Sequence, residues 1–226
     1  MVVGALLVFA AQAGFSQGAA SATAGLIGAV YTPPVPAADF VLTDQHGTPF
    51  HMADMTGKVV VFSFLYTHCG DTCPYIALKL KAARVLLGGD ASRVGFVAVT
   101  TDPQRDTLPV IAGYSRELGL FDVWHFVTGT PADVRAVWSR YLANATASRG
   151  HPRVSLDEAD DHGQGLAETD RRLARRIIES FAGGYEVAHF AAFHIIDPRG
   201  RIRVTLDQDA LPGEIAANVR TLLAGK

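Results

Sequence analysis

Two long apolar runs stand out in the pattern of hydrophobic and polar positions. Residues 58–66 and residues 94–101 are rich in β-branched and aromatic side chains, which is typical of strands buried on both faces of a sheet. Between them, Pro74 suits the first turn of a helix, and apolar residues continue at helical spacing until Gly88 and Gly89. The pattern therefore predicts a strand, a helix and a second strand in succession.

The rest of the chain continues this alternation. The further predicted elements are a short edge strand over 39–47, helices over 107–118, 131–142 and 212–223, a short strand over 124–127, and a hairpin with strands over 193–196 and 201–206. Strands that alternate with helices, followed by a hairpin and a helix, predict an α/β fold with a mixed central sheet flanked by helices.

The chain length predicts one such domain with some additional sequence, because 226 residues exceed what a single core of this kind needs. We divide the chain into an N-terminal segment (1–24), a Pro-rich linker (25–37) and one domain (38–226). Inside the domain, residues 144–184 contain an acidic loop with a histidine and a charged helix that begins near Asp170. We expect this stretch to be an inserted helical and loop excursion, mostly solvated, that contributes no metal ligand; a partner surface is the alternative.

The N-terminal segment has the character of an export signal. Residues 2–15 are almost wholly apolar, and Ala-Gln-Ala at 11–13 resembles a signal-peptidase site. The run is shorter than the roughly 20 residues that a membrane span needs. We expect an exported protein, in the periplasm or at the outer face of the inner membrane, with the segment either cleaved or retained as an anchor. A buried N-terminus of the domain is the alternative.

Composition and charge narrow the possible functions. Hydrophobic residues make up 49% of the chain, charged residues 19%, and the formal net charge is -2. This balance argues against disorder and against a nucleic-acid partner, which would require a basic stripe. Both cysteines lie in one short segment. Two cysteines are too few for a disulfide scaffold, so they indicate a site.

Cys69 and Cys73 lie four residues apart where the first long strand turns into a helix. The exposed N–H groups and the dipole of a helix N-terminus favour thiolates, which attack disulfides and also bind metals. The spacing is one residue longer than the Cys-x-x-Cys of thioredoxin-type redox enzymes. Two sulfurs with one imidazole suit Cu(I) and can accommodate Cu(II), whereas a closed zinc site would need a fourth ligand. The residues alone leave metal binding and thiol–disulfide exchange open.

Three histidines are candidates for a third ligand. His68 adjoins Cys69, and we expect its side chain to point away from the metal. His194 lies within a predicted strand and is expected to be a core or sheet-face histidine. His189 precedes that strand, at the place where thioredoxins carry a cis-proline beside the cysteine-bearing helix. His189 is therefore the preferred candidate.

These motifs together resemble the Sco/SenC family of copper-binding proteins, which assist assembly of the copper centre of cytochrome oxidase. The resemblance covers about residues 38–205. It is carried by Phe-Leu-Tyr-Thr-His-Cys-Gly-Asp-Thr-Cys-Pro at 64–74, Val-Thr-Thr-Asp-Pro-Gln-Arg-Asp-Thr at 99–107, Thr-Gly-Thr-Pro at 128–131, and His189 ahead of Asp-Pro-Arg-Gly at 197–200.

The resemblance implies a thioredoxin-like fold and a bound copper ion, Cu(I) or Cu(II). It implies that Cys69, Cys73 and His189 are the copper ligands, and that the copper-bearing subunit of cytochrome c oxidase, or another copper protein, is the partner. Asp71 and Asp102 match acidic positions near the family's site, where they would support the ligands. The chain departs from the family beside the histidine, since residues 188 and 190 are Ala and Phe where the family usually has Asp and Ser.

Two functions of different classes remain open. One is a metallochaperone that binds copper and hands it to an oxidase subunit. The other is an enzyme, a thiol–disulfide reductase, in which Cys69 and Cys73 are the redox pair and His189 tunes the thiols. A copper sensor is a weaker third possibility. A histidine ligand favours the metallochaperone, because a reductase does not require one.

Overall fold

A computed structural model of the chain describes residues 25–141, 146–148, 161–181, 184–188 and 191–225. The expected signal or anchor segment, 1–24, lies outside the described residues. The strands are β1 Ala29–Pro36, β2 Val41–Thr43, β3 Pro49–His51, β4 Val59–Leu65, β5 Val94–Thr100, β6 His125–Val127, β7 Thr146–Ser148, β8 Glu186–Ala188, β9 Ala192–Ile196 and β10 Arg201–Asp207. The helices are α1 Cys73–Leu87, α2 Leu108–Glu117, α3 Pro131–Arg140, α4 Glu168–Phe181 and α5 Pro212–Ala224.

The central sheet is mixed, as predicted. Its strand order is β1-β10-β9-β4-β5-β6. β4 pairs parallel with β5 and antiparallel with β9, and β5 pairs parallel with β6. All side chains of β4 and β5 are buried, which confirms the interpretation of the two apolar runs. The ends of β4 and β5 lie side by side, since Leu65 is in register with Thr100, and the cysteine loop leaves the sheet at that edge.

The two faces of the sheet carry separate hydrophobic clusters. On one, the cysteine face, α1, α2, α4 and α5 pack around a core that includes Cys69 and Cys73. On the other, the aromatic face, α3 and the β2–β3 hairpin pack on a core centred on Phe62 and Tyr141. The rings of Phe62 and Tyr141 stack with centroids 4.5 Å apart. No helix in the described part of the chain is both long and apolar enough to cross a membrane.

The linker interpretation of 25–37 is wrong for Ala29–Pro36, which forms edge strand β1. β1 pairs antiparallel with β10, and the amide of Ile27 donates to Asn218 Oδ1 over 2.8 Å. Prolines made this segment resemble a linker. An edge strand tolerates proline because one side of its backbone has no strand to pair with. The domain therefore begins earlier than residue 38.

The strand expected over 39–47 is also different. Only Val41–Thr43 is extended, and it pairs with β3 in a separate hairpin. Asp44 closes the intervening turn, because its Oδ1 accepts from the amides of His46 and Thr48. An Asx-type turn of this kind folds the chain back on itself, so the segment does not continue as a strand, although Thr43 exchanges backbone hydrogen bonds with Thr128 just after β6 at the edge of the main sheet.

The excursion expected to be mostly solvated is instead packed on the domain where it is described. In α4, Ala174, Ile177 and Ile178 are buried in the core of the cysteine face. Their spacing places them on one side of the helix, and the many charged residues cover the other side. In the sequence, this narrow apolar stripe is hidden among the many charged residues of α4.

Candidate metal centre

The two cysteines lie at the junction of β4 and α1. Cys73 is the first residue of α1, and Pro74 follows in the first turn, where its missing N–H leaves no bond unmade. Both cysteines are free thiols, with 3% of Cys69 and none of Cys73 exposed. A metal or a disulfide partner therefore cannot reach the sulfurs without local movement of the covering segments.

The two thiols have different acidities. Burial opposes ionisation of Cys69, but hydrogen bonds from the Cys73 thiol and from the backbone of Cys73 and Asp71 lower the pKa of Cys69 below its ordinary value. Burial and the neighbouring Cys69 sulfur raise the pKa of Cys73 well above its ordinary value. Cys69 is therefore the first thiolate of the pair, and Cys73 donates to it.

A buried carboxylate fixes the residues just before Cys69. Asp106 is fully buried and accepts hydrogen bonds from the hydroxyls of Thr67 and Thr100, each 2.5 Å long. The Nδ1 atom of His68 lies 2.8 Å from the Thr67 hydroxyl. His68 is thus engaged with its neighbour, and this segment is tied to the end of β5.

Asp102 is buried and contacts Tyr185, in the segment that leads to His189. Its Oδ1 accepts from the Tyr185 hydroxyl over 2.7 Å, and its Oδ2 accepts from Arg105. The Arg105 guanidinium lies 3.9 Å from the centroid of the Tyr185 ring. The amide of Val187 in β8 donates to the Tyr66 hydroxyl over 3.2 Å. These contacts dock β8 beside the cysteine loop.

Asp71, inside the cysteine loop, forms an ion pair with a residue of the insertion. The Nε2 atom of His162 lies 3.3 Å from Asp71 Oδ1, and its Nδ1 atom lies 2.7 Å from Asp209 Oδ1. The neighbouring carboxylates of Asp71 and Asp209 raise the pKa of His162 to about 9, although partial burial opposes this. The sequence predicts that residues 144–184 contribute no metal ligand, and its only signal for His162 is a histidine in an acidic loop.

The third proposed ligand, His189, lies outside the described residues, as does His151. The described chain stops at 188 and resumes at 191. Within the described part, no three His, Cys, Asp or Glu side chains are grouped as a metal site requires. His194 is buried, its Nδ1 lies 2.8 Å from the Thr205 hydroxyl, and burial lowers its pKa to about 4. The expectation that His194 is a core histidine is confirmed.

Comparisons with known proteins agree with this architecture. The sequence model of the SCO1/SenC family matches residues 32–167. The mouse protein SCO2 homolog, mitochondrial, is 33% identical over 179 residues, which are 71% of this chain and 64% of that relative. The chain thus spans less than two thirds of that relative's length.

Solved structures show the same fold. Copper-bound ScoI of Bradyrhizobium japonicum superimposes with a TM-score of 0.63 at 23% identity, covering 83% of this chain and 99% of that one. Apo Sco1 of Thermus thermophilus gives a TM-score of 0.64 at 23% identity, covering 87% and 96%. The predicted thioredoxin-like fold is confirmed.

Proposed function

The chain belongs to the SCO1/SenC family, and from that premise we propose that it binds one copper ion through Cys69, Cys73 and His189. It hands the ion to the copper-bearing subunit of cytochrome c oxidase or to another copper protein. The observation that carries this proposal is the pair of buried free thiols where β4 leads into α1. A similar structure, that of Bradyrhizobium japonicum ScoI, has copper bound.

The donor set suits copper chemically. Thiolates are soft ligands that favour Cu(I), and an imidazole completes a three-ligand site that can also hold Cu(II). Cys69 supplies the first thiolate, and Cys73 loses its proton when the metal binds, because metal binding to thiols displaces protons. Asp102 supports the site indirectly, by holding the segment that leads to His189.

Copper must leave such a site by exchange of ligands. The buried sulfurs would be reached after β8 or the cysteine loop moves, and the recipient would then offer its own Cys and His side chains. A domain outside the cytoplasm fits this role, and we place it in the periplasm or at the outer face of the inner membrane. Fractionation of cells that express the full chain tests this location.

A thiol–disulfide reductase is the second candidate, and two neighbouring free thiols at the N-terminus of a helix favour it. The Cys69 thiolate would attack a partner disulfide and release one partner thiol. Cys73 would then displace the second, leaving a Cys69–Cys73 disulfide and a reduced partner. The two electrons come from the Cys69–Cys73 dithiol.

Copper titration of the reduced protein tests the first candidate. We expect one copper per chain, and we expect Cys69→Ser and Cys73→Ser each to abolish tight binding, because one thiolate cannot retain Cu(I) against competing thiols. Met55→Leu is a matched control, because it removes a buried sulfur from the aromatic face. A serine variant that keeps full copper occupancy contradicts the proposal. Rapid reduction of insulin disulfides without copper binding would favour the reductase.

The redox state of the cysteines should gate the site. A Cys69–Cys73 disulfide cannot supply thiolate ligands, so the oxidised protein should not take up Cu(I) until it is reduced. Bound copper should in turn protect both thiols from alkylation. Equal labelling of the copper-free and copper-loaded forms would show that the cysteines are not the ligands.

A further inference from the structure

A short turn of the insertion is packed tightly against the cysteine-bearing helix. This 3₁₀ turn, Asp161–Gly163, leads into α4. A Cβ atom at Gly163 would lie 3.0 Å from the Arg171 side chain and 3.2 Å from the Tyr75 ring. A Cβ at Gly165 would lie 2.8 Å from Pro212. The turn thus contacts α1 and α4, and Gly165 just after it contacts the start of α5, with no space for a larger side chain at either glycine.

This packing holds His162 between two carboxylates from distant parts of the chain. Asp71 belongs to the loop between the cysteines, and Asp209 belongs to the turn between β10 and α5. The imidazole donates to Asp209 and forms an ion pair with Asp71, and the two carboxylates favour its protonated form. The His162 side chain is 17% exposed, whereas Asp209 is 61% exposed. The bridge therefore runs from the surface of the domain to the cysteine loop.

We propose that His162 is a positioning residue of the cysteine site, because it ties the loop between Cys69 and Cys73 to the turn between β10 and α5. Gly70 and Thr72 of this loop are buried by packing, and the His162 bridge adds a charged contact to that packing. The bridge restricts the distance between the Cys69 and Cys73 sulfurs, and a restricted distance suits both a shared metal ion and a disulfide. The inference rests on the proposed function for its relevance to copper, but the thiol pair itself can be tested without metal.

A partly exposed ion pair contributes little to global stability, so its effect should be local. If His162 restricts the loop, its removal lowers the effective concentration of one thiol at the other. The equilibrium between the Cys69–Cys73 disulfide and glutathione measures that quantity directly. In a protein that remains folded, a general loss of stability would not change this equilibrium.

The test compares His162→Ala, Asp71→Asn and the double variant in the full chain at one pH. We expect His162→Ala to lower the equilibrium constant for disulfide formation about tenfold, which is about 30 mV in potential. Because His162 acts through Asp71, it should have no further effect in the Asp71→Asn background. Asp209→Asn leaves the packed turn intact and should shift the equilibrium in the same direction by a smaller factor, which keeps the test informative if His162→Ala folds poorly.

His51→Ala is the matched control, since His51 forms a similar pair with Asp39, over 2.8 Å, away from the cysteines. It should leave the equilibrium unchanged. An unchanged equilibrium in folded His162→Ala, or effects that add in the double variant, would overturn the inference. If His162→Ala shifts the equilibrium but the wild-type protein does not bind copper, the positioning role stands and the proposed function fails. If copper binds and no shift occurs, only the positioning role fails.

Discussion

The two faces of the sheet are closed in different ways. On the aromatic face, the rings of Phe62, Phe64 and Tyr141 form one continuous packed group, with centroids 4.5 to 5.9 Å apart. Around the cysteine loop, polar contacts add to the packing that holds the separate segments. His162 reaches Asp71, and Tyr185 reaches Asp102.

Because of this difference, we expect the stability of the domain and the accessibility of the cysteine sulfurs to depend on different parts of the molecule. Aromatic packing is lost only when the core opens, whereas a short segment held by a few contacts can detach while the rest of the domain stays folded. The buried sulfurs need such local opening before they can exchange a metal or a disulfide. We therefore expect the aromatic face to stabilise the sheet, and the cysteine loop and β8 to be the parts that open.

Phe62→Ala gives the largest expected loss of stability. It removes a fully buried ring stacked on Tyr141, and should reduce the free energy of unfolding by about 3–5 kcal/mol. Urea unfolding measures the loss. Under conditions where the variant is fully folded, alkylation of the cysteines should be unchanged. Val41→Ala, at a residue 59% exposed, is the control and should have little effect. Faster alkylation in folded Phe62→Ala would show that the two faces are not independent.

Acid should weaken the aromatic face through His194, which contacts Phe62 and Tyr141. Its pKa is about 4 in the folded protein and 6.5 as a free side chain. Between these values the unfolded chain binds one more proton, so stability falls as the pH falls from 6.5 to 4. The expected loss is about 2–3 kcal/mol. Unfolding at several pH values measures it, and His194→Asn should remove this part of the slope. An identical slope in the variant would contradict the assignment.

Substitution of His189 and of His194 should affect copper affinity differently. His189→Ala should weaken copper binding by a factor of at least about 10, or roughly 1.4 kcal/mol, because it removes a ligand. His194→Ala should change copper affinity little, since His194 lies on the aromatic face. A competition titration with a copper chelator measures both. A larger effect of His194 would reverse the assignment of the third ligand.

Tyr185→Phe should have the smallest effect on stability and a visible effect on exchange. It removes only the hydroxyl that donates to Asp102, so the free energy of unfolding should fall by no more than about 1 kcal/mol. Release of copper to a chelator should become a few times faster, because β8 leads to His189. Tyr31→Phe removes a comparable hydroxyl contact, with Thr205 on β10, and should leave the release rate unchanged. Equal release rates in wild type and Tyr185→Phe would mean that β8 does not control access.

The sequence by itself determined the central part of the fold. β4, β5 and α1 are buried, regular and local in their signals, so their bounds follow from the apolar pattern to within a residue or two. The place of Cys69 and Cys73 at the end of β4 followed from the same pattern. The family resemblance gave the fold and the candidate ligands, and of these His189 stays a prediction, since it lies outside the described residues.

Only the tertiary structure decided which distant segments meet. The prolines of β1 gave a linker composition, and pairing with β10 made that segment a strand. The contact of His162 with Asp71 and the contact of Tyr185 with Asp102 join residues far apart in the chain. Periodicity reports which side of an element is apolar, but a single polar contact has no period and leaves no pattern to read. The strands and the helix that carry the site could therefore be predicted from the sequence, whereas the long-range polar contacts around it could not.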